Sequence, residues 1–393
     1  MGDKGLPHGH PLYAAMGTTV FEHMSGLARE LGAINLGQGF PDGPEPAELI
    51  EAASRALREK SNQYPPSGGL PELRDALGAF YRRRQGLALR RERVVVTSGA
   101  TEALAASIFA LIQPGDEVIL FEPAYDAYAP LVRRAGGVPV FVALQAPDWR
   151  FRREDIEPVL TSRTRAMIIN DPLNPAGTVA GDAELEMLTD LCVSHNLTAI
   201  CDEVWEEVRF DGRRHRSLLD LPGMAERAVK IGSAGKVFGL TGWKVGWVCA
   251  APELAALIGR AHQFLAFTTP PALQWAVAAG LDQSDAWFEA RTAAWVESRG
   301  RLGRGLDQAG YAVLSNAATW FVCVDLAGSG IILPDREFCD RAVREAGVAA
   351  IPVSALFEDG PAPTRFVRLC FTKPDDQLDQ AVARLAEFRQ KLG

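Results

Sequence analysis

Lys236 stands in the run Ile231-Gly-Ser-Ala-Gly-Lys-Val-Phe-Gly-Leu-Thr-Gly-Trp-Lys-Val-Gly246, framed by small residues, with a hydroxyl at Ser233 and a second cation at Lys244. Small residues let a ligand approach the backbone closely, and an amine beside other cations has its protonated form disfavoured. A lysine in that setting is suited to Schiff-base chemistry with a carbonyl compound, and the pocket has the character to hold a bulky aldehyde phosphate. Ser98-Gly-Ala-Thr101 follows an apolar run and opens a helical pattern. Free N–H groups at such a helix start attract a phosphate, although the same residues also make an ordinary helix cap.

Three further positions extend the chemistry. Asp202 ends the apolar run Leu197-Thr-Ala-Ile-Cys201, and a carboxylate at the end of a buried strand is costly unless it faces a cation. A protonated pyridine nitrogen is one such cation, and a ring paired in this way draws electrons from a carbon attached to the imine, the service that pyridoxal phosphate supplies. The plainer reading is an aspartate that caps the next turn. Asn174, between Leu173 and Pro175, can donate its amide to a ring oxygen, and Tyr125 can stack on a ring face; either is equally compatible with a turn or a core position. Arg368 alternates with apolar neighbours in Phe366-Val-Arg-Leu-Cys-Phe371, where an inward guanidinium suits bidentate capture of a carboxylate and an outward one would be plain surface.

The elements that must position these groups are visible as a rhythm. Short apolar runs at 94–97, 117–121, 138–142, 166–170, 197–201 and 229–231 alternate with helix-period stretches, which predicts crossovers and a largely parallel sheet. Leu104, Ile108, Leu111 and Ile112, and then Leu185, Leu188 and Leu191, recur at helical spacing and are expected to cover sheet faces. In such a sheet ligands sit at the carboxyl ends of the strands, where the Ser98, Asn174, Asp202 and Ser233–Lys236 clusters all fall. After about residue 280 a long Ala- and Arg-rich helix, strands near 320–324 and 366–371, and a closing helix after Asp376 describe a smaller α+β unit. The first 45 residues show no strand rhythm and are expected to wrap over both units.

Composition sets the bounds. The 393 residues exceed one ordinary core, and a 47% hydrophobic content fills two. A net charge of -8 argues against nucleic acid or anionic lipid as a partner, and the cluster Arg82, Arg83, Arg84, Arg90, Arg91 and Arg93 reads as a solvated face. The six cysteines are dispersed without CxxC or zinc-ligand spacing, hence reduced and buried, and His8 and His10 lack a third ligand, so no metal is expected. With neither an apolar leader nor a long apolar window, the expectation is a cytoplasmic protein without a membrane segment.

Taken together, Asn35-Leu-Gly-Gln-Gly-Phe-Pro-Asp42, Asn62-Gln-Tyr64, Thr97-Ser-Gly-Ala-Thr-Glu-Ala-Leu104, Pro114-Gly-Asp-Glu-Val118, Asn174-Pro175, Asp202-Glu-Val204, the Lys236 run and Arg368 resemble the fold-type I pyridoxal-phosphate aminotransferases of class I/II. The likeness is greatest to the branch of kynurenine/glutamine transaminases, methionine aminotransferases and N-succinyldiaminopimelate aminotransferases. It implies an α/β fold with a mostly parallel seven-stranded sheet in a large domain over 47–280, and a small α+β domain formed by 1–46 and 281–393. It also implies that Lys236 carries the Schiff base and shuttles the proton, that Asp202 pairs with the pyridinium, and that Asn174 bonds the ring hydroxyl beneath a stacked Tyr125. Gly99, Ala100, Thr101, Ser233 and Lys244 would hold the phosphate, joined by Tyr64 from a second subunit of a homodimer. Arg368, with Gly39 and Asn174, would grip the substrate carboxylate.

Two positions depart from that pattern. Trp205 replaces the usual tyrosine and either donates its indole N–H to the ring oxygen or only packs. Gly43 replaces a frequent aromatic and is expected to widen the substrate mouth. Ser233-Ala-Gly-Lys236 also matches the SxxK hydrolase motif, but neither SDN nor KTG accompanies it, and a Walker A reading fails at Val237 and Lys230. A β-lyase shares the first carbanion with a transaminase, and a regulatory protein could keep the fold without turnover; intact Lys236, Asp202 and Arg368 favour the enzyme. One visible carboxylate-binding arginine, with Phe21, Phe40 and Phe357 as candidate walls, points to neutral or aromatic amino acids, glutamine or methionine as donors and a 2-oxo acid as acceptor, with an N-succinyldiaminopimelate donor as the alternative.

Overall fold

Six of the seven strands in the main sheet coincide with the apolar runs of the sequence. They are β1 (Val94–Thr97), β2 (Glu117–Glu122), β3 (Val138–Ala143), β4 (Thr164–Asn170), β5 (Thr198–Asp202) and β6 (Ala228–Ser233). The seventh, β7 (Gly246–Cys249), gave no separate signal, being four residues long and following a glycine-rich turn. The structure, a computed structural model, describes residues 9–392; the readings made of the first residues and of His8 lie outside that range. His10 falls within it, and its Nδ1 accepts the Leu12 N–H at the start of a short helix.

The strand order is β1-β7-β6-β5-β4-β2-β3. β7 runs antiparallel to both neighbours, whereas the pairs among β2 to β6 are parallel. Alternate strand residues feed opposite cores, the period-two rule of a sheet covered on both faces. Val95, Leu120, Ile168, Ile200, Ile231 and Val248 pack on one face with Leu104 and Ile108 of α1 (Gly99–Leu111). Val96, Phe121, Ile169, Cys201 and Trp247 pack on the other with Leu185, Leu188 and Leu191 of α2 (Asp182–Ser194).

Beyond the long helix α3 (Asp285–Gln308), the strands β8 (Ala312–Val313), β9 (Phe321–Asp325), β10 (Ile351–Pro352) and β11 (Phe366–Cys370) form a four-stranded antiparallel sheet in the order β10-β11-β9-β8. The closing helix α4 (Asp375–Lys391) follows as expected. The N-terminal segment is more ordered than its sequence rhythm indicated. It holds a helix over Val20–Leu31, capped by Thr19, that buries Met24, Leu27 and Ala28, followed by Ile34–Asn35, which pairs in parallel with Val348–Ala349. Gly26 and the glycine- and proline-rich stretch that follows masked that helix.

The arginine cluster is only partly a solvated face. Arg82, Arg90 and Arg91 are exposed, but Arg84 pairs with Glu207 at 2.9 Å, Arg83 donates to the Leu281 and Gln283 carbonyls, and Arg93 to the Ala250 carbonyl. These three fasten neighbouring elements. All six cysteines are free and buried, and among the described residues no helix is long and apolar enough to cross a membrane.

Below the sheet lies a charged knot that the sequence did not announce. Lys230, fully buried on β6, contacts both Glu203 and Glu206; His215 and Ser217 bond Glu203, and Tyr81 donates to Glu206 at 2.7 Å. Burial alone would lower the Lys230 pKa and raise that of Glu203, but their attraction wins, so Lys230 is raised and Glu203 held at about 2. Replacing Lys230 by Met should strip two buried carboxylates of their shared ammonium and cost about 3–5 kcal/mol of stability. Urea unfolding of the two proteins measures it, and equal midpoints with equal slopes would refute the assignment.

Candidate active site

The carboxyl ends of β4, β5 and β6 converge with the start of α1 on one cavity of about 440 Å³. Its walls include Gly39, Gly99, Ala100, Thr101, Tyr125, Asn174, Asp202, Trp205, Ser233, Lys236, Lys244 and Arg368, which is every residue expected from the sequence except Tyr64. Tyr64 is 82% exposed and rests edge-on against Phe267, away from the cavity wall. Of the aromatic candidates, Phe21 lines the cavity but Phe40 and Phe357 do not. Phe40 lies under the Lys373 amine at 4.6 Å, and Phe357 packs against the second core. Gly43 lines a separate cleft with Arg291 and Trp295, so its lack of a side chain widens that cleft and not the cavity around Lys236.

Asp202 ends β5, where the register sets it beside Asn170 of β4. Its Oδ2 accepts the Tyr128 hydroxyl at 2.6 Å, while Oδ1 is buried without a hydrogen-bond partner. Burial raises the Asp202 pKa, and the Tyr128 hydroxyl, the Val204 N–H and the Lys236 charge only partly offset it. An orphaned carboxylate oxygen in a cavity wall is the complement of a protonated ring nitrogen. Tyr128 escaped the sequence reading, although its place one helical turn after Tyr125 was the available signal. Asn170 escaped it too: its Nδ2 donates to the Asp202 carbonyl at 2.9 Å and its Oδ1 accepts the Asn174 N–H at 2.8 Å, fixing the turn that presents Asn174.

Lys236 follows β6 by one turn of helix and donates to the Gly39 carbonyl oxygen at 3.0 Å, not to Ser233. Its amine lies 4.7 Å from the Trp205 ring centre and 5.0 Å from that of Trp320. Burial, reinforced by Arg368 and Lys244 and opposed by Asp202, lowers its pKa to about 8. Neighbouring cations were the expected cause; the loss of water is the larger one.

At the other end, Gly99 has φ +79, and a Cβ there would come within 3.1 Å of the Lys244 amine. Gly246 allows a still closer approach, since its Cβ would meet the Gly99 carbonyl carbon at 2.5 Å. Lys244 itself adopts a left-handed conformation that aims it at the α1 N-terminus. Ser233, Lys244 and the first α1 residues thus form an anion cradle of hydroxyl, amine and backbone groups.

Arg368 is buried on β11. One terminal nitrogen donates to Asn174 Oδ1 at 3.0 Å, the other to the Gly37 carbonyl at 2.6 Å, and Nε has no partner. Phe321 covers the guanidinium at 3.9 Å from its ring centre. Burial lowers its pKa to about 10, because no carboxylate is paired with it. The bond to Arg368 commits the Asn174 oxygen and leaves its Nδ2 free to donate.

Sequence comparison decides the family. Residues 32–385 match the family Aminotransferase class I and II. The chain belongs to that family. Its relatives include the probable N-succinyldiaminopimelate aminotransferase of Mycobacterium tuberculosis, 42% identical with 95% of this chain and 97% of the relative covered. They also include the methionine aminotransferase of Escherichia coli, at 38% with 95% and 96% covered, and the human kynurenine-oxoglutarate transaminase 1, at 34% with 93% and 94% covered. The solved N-succinyldiaminopimelate aminotransferase from Mycobacterium tuberculosis superposes with a TM-score of 0.93 over 97% of this chain and 100% of its own. The protein is therefore a fold-type I, pyridoxal-phosphate-dependent aminotransferase, and the orphaned Asp202 oxygen, the unprotonated fraction of Lys236 and the anion cradle fit that cofactor.

The depressed Lys236 pKa gives a direct check on the cofactor-free aminotransferase. Raising the pH deprotonates the amine, so acylation of Lys236, followed by peptide mass spectrometry, should rise with a midpoint of about 8. A midpoint near the ordinary lysine value of about 10.4 would remove burial as the activating cause.

Proposed function

We propose that this aminotransferase takes its amino group from a neutral or aromatic L-amino acid, or from glutamine or methionine, and passes it to a 2-oxo acid. The carrying observation is the charge inventory of the cavity. Its only Lys or Arg side chains among the described residues are Lys236, Lys244 and Arg368. With Lys236 holding the cofactor and Lys244 its phosphate, one cation would remain, enough to grip one carboxylate. Phe21, Trp205 and Phe321 surround the rest. The N-succinyldiaminopimelate donor is supported by the name of the 42% identical relative, but its second and third carboxylates meet no further Lys or Arg among the described residues that line this cavity.

Pyridoxal phosphate, when bound, supplies an electron sink for the carbanion left at the substrate Cα. The chain does the rest. Arg368 and Asn174 would orient the α-carboxylate, Asp202 would pair with the ring nitrogen, Tyr125 would flank the ring, and Gly99, Ala100, Thr101 and Ser233 would join Lys244 at the phosphate. Lys236, whose amine is easier to deprotonate than an ordinary lysine's, would take the Cα proton and deliver it to the carbon that had been the cofactor's aldehyde. Trp205 donates to the ring oxygen or packs against it beside Asn174. Because a tryptophan cannot ionise there, titrating the cofactor absorbance of Trp205→Tyr should give a displaced curve; superimposable curves would discard any electronic role for Trp205.

The same reading includes a homodimer in which exposed Tyr64 reaches the partner's phosphate, a division into units of 47–280 and 1–46 plus 281–393, and action in the cytoplasm. The supports are the exposure of Tyr64 and the resemblance of the Asn62-Gln-Tyr64 motif. A donor panel assayed for 2-oxo acid formation and for ammonia tests the function. Phenylalanine-, methionine- and glutamine-type donors should exceed aspartate by about tenfold or more in kcat/KM, and ammonia without consumption of the acceptor would show elimination instead. Arg368→Ala should lower kcat/KM for every donor by about a hundredfold, mostly through KM. An unchanged KM would take the carboxylate away from Arg368.

A further inference from the structure

One buried histidine, outside the cavity wall, joins the segments on which the phosphate cradle depends. His262 lies on the helix Pro252–Leu265 and is fully buried. Its Nε2 is 2.8 Å from the Ser67 carbonyl oxygen and its Nδ1 is 2.8 Å from Glu102 Oε1. A carbonyl oxygen only accepts, so Nε2 carries a proton. The other oxygen of Glu102 accepts the Ser98 N–H at 2.8 Å, which leaves Oε1 as the acceptor facing Nδ1. With an acceptor at each ring nitrogen, the ring is set to carry a positive charge. Burial opposes that charge, and Glu102, with the backbone of Ser67 and Phe267, outweighs it and raises the pKa.

Both ends of this link lead to the cradle. Glu102 sits in the first turn of α1, whose Gly99, Ala100 and Thr101 line the cavity. Ser67 lies three residues after Tyr64, and the segment between Ser67 and β1 is tied a second time: Gln274 accepts the Leu70 N–H at 2.8 Å and donates to the Thr269 carbonyl at 2.6 Å. Ser98 Oγ lies 3.4 Å from Thr269 Oγ1, which closes the ring of contacts. The imidazolium and the Glu102 carboxylate cancel in net charge, so the pair contributes little field at the α1 N-terminus. What it contributes is spacing.

We propose that His262 is a positioning residue for the cofactor phosphate: clasped as a cation between Glu102 and the Ser67 carbonyl, it holds the Ser98–Thr101 turn at a fixed distance from the segment that carries Tyr64. The inference rests on the assignment of the phosphate to that turn. His262→Gln keeps the size and one donor group but cannot serve both acceptors as a charged ring does.

Two measurements on the full-length protein test it, the first with the cofactor bound and the second after its removal. In nitrogen-15-labelled protein at about pH 8, above the ordinary histidine pKa, both ring nitrogens of His262 should be protonated; a neutral ring would overturn the proposal whether or not any variant folds. The dissociation constants of pyridoxal phosphate and of pyridoxal, which lacks the phosphate, are then compared in wild type and His262→Gln by fluorescence titration. The variant should weaken pyridoxal phosphate by about tenfold and pyridoxal by less than about twofold. Equal weakening of both ligands, the mark of general loosening, or no weakening of either would overturn the positioning role. A wild type that takes up neither ligand would strike the cofactor assignment itself, and it is told apart from the failure of the His262 role, in which wild type and variant bind alike.

Discussion

Loss of water around the Lys236 amine is the constraint on which the rest of the site depends. Were that amine fully solvated, its neutral fraction near pH 8 would be far smaller, and addition to a carbonyl and proton transfer would slow with it. The fold limits the water by ending β6 one helical turn before Lys236, so that the amine lies against the Trp205 and Trp320 rings and the Gly39 carbonyl. Stripped of solvent, the same small volume also holds the Arg368 guanidinium and the Asp202 carboxylate. Each is left with an unsatisfied polar atom, Nε of Arg368 and Oδ1 of Asp202. Buried atoms without partners are costly, and these two belong to side chains of opposite charge that line one cavity.

The two sheets divide the labour. The main sheet supplies Asp202, Asn174 and Lys236 from strand ends fixed by backbone pairing, which keeps their mutual geometry independent of the substrate. The four-stranded sheet supplies Arg368 and the Phe321 face that covers it, while the N-terminal segment supplies Gly37 and Gly39. At Gly39 a side chain would strike the Phe321 ring, its Cβ falling 2.7 Å from the ring edge. That loop is pinned from behind by Lys373, which bonds Asp42 at 2.6 Å and the Phe40 carbonyl at 3.2 Å. The surroundings of Arg368 are therefore assembled from sequence positions more than three hundred residues apart.

Much of this was legible in the chain because the strands of a doubly covered sheet are short apolar runs and the catalytic groups follow them directly. Asp202 after Cys201 and Lys236 after Ser233 needed only the rule that ligands gather at strand carboxyl ends. What escaped depended on pairings that no local pattern encodes. β7 is antiparallel and brief, so no crossover announced it. Tyr128 and Asn170 act through Asp202, a partner more than thirty residues away in each case. The arginine run from Arg82 to Arg93 looked solvated because its acceptors, Glu207 and the carbonyls of Ala250, Leu281 and Gln283, come from distant segments. Phe40, expected as one of the aromatic walls, and Gly43, expected to widen the mouth because it replaces a frequent aromatic, face Lys373 and the Arg291 cleft instead.

The Lys230 knot shows why such an unheralded arrangement persists. Asp202, the last residue of β5, and Glu203, the next in the chain, point to opposite sides, Glu203 toward Lys230 and Asp202 toward the cavity. Two neighbouring carboxylates at the edge of a core repel each other, and the pKa of Asp202 is indeed raised in part by Glu203. An unscreened pair would take up a proton at Asp202, and a protonated Asp202 would lose the charge that its ring partner requires. Lys230 and His215 hold Glu203 ionised and draw its charge to the far side, which weakens its effect on Asp202 without removing it. A buried ion pair of this kind is a poor source of stability compared with a hydrophobic replacement of the whole cluster. Its value here lies in separating two charges that the strand places side by side.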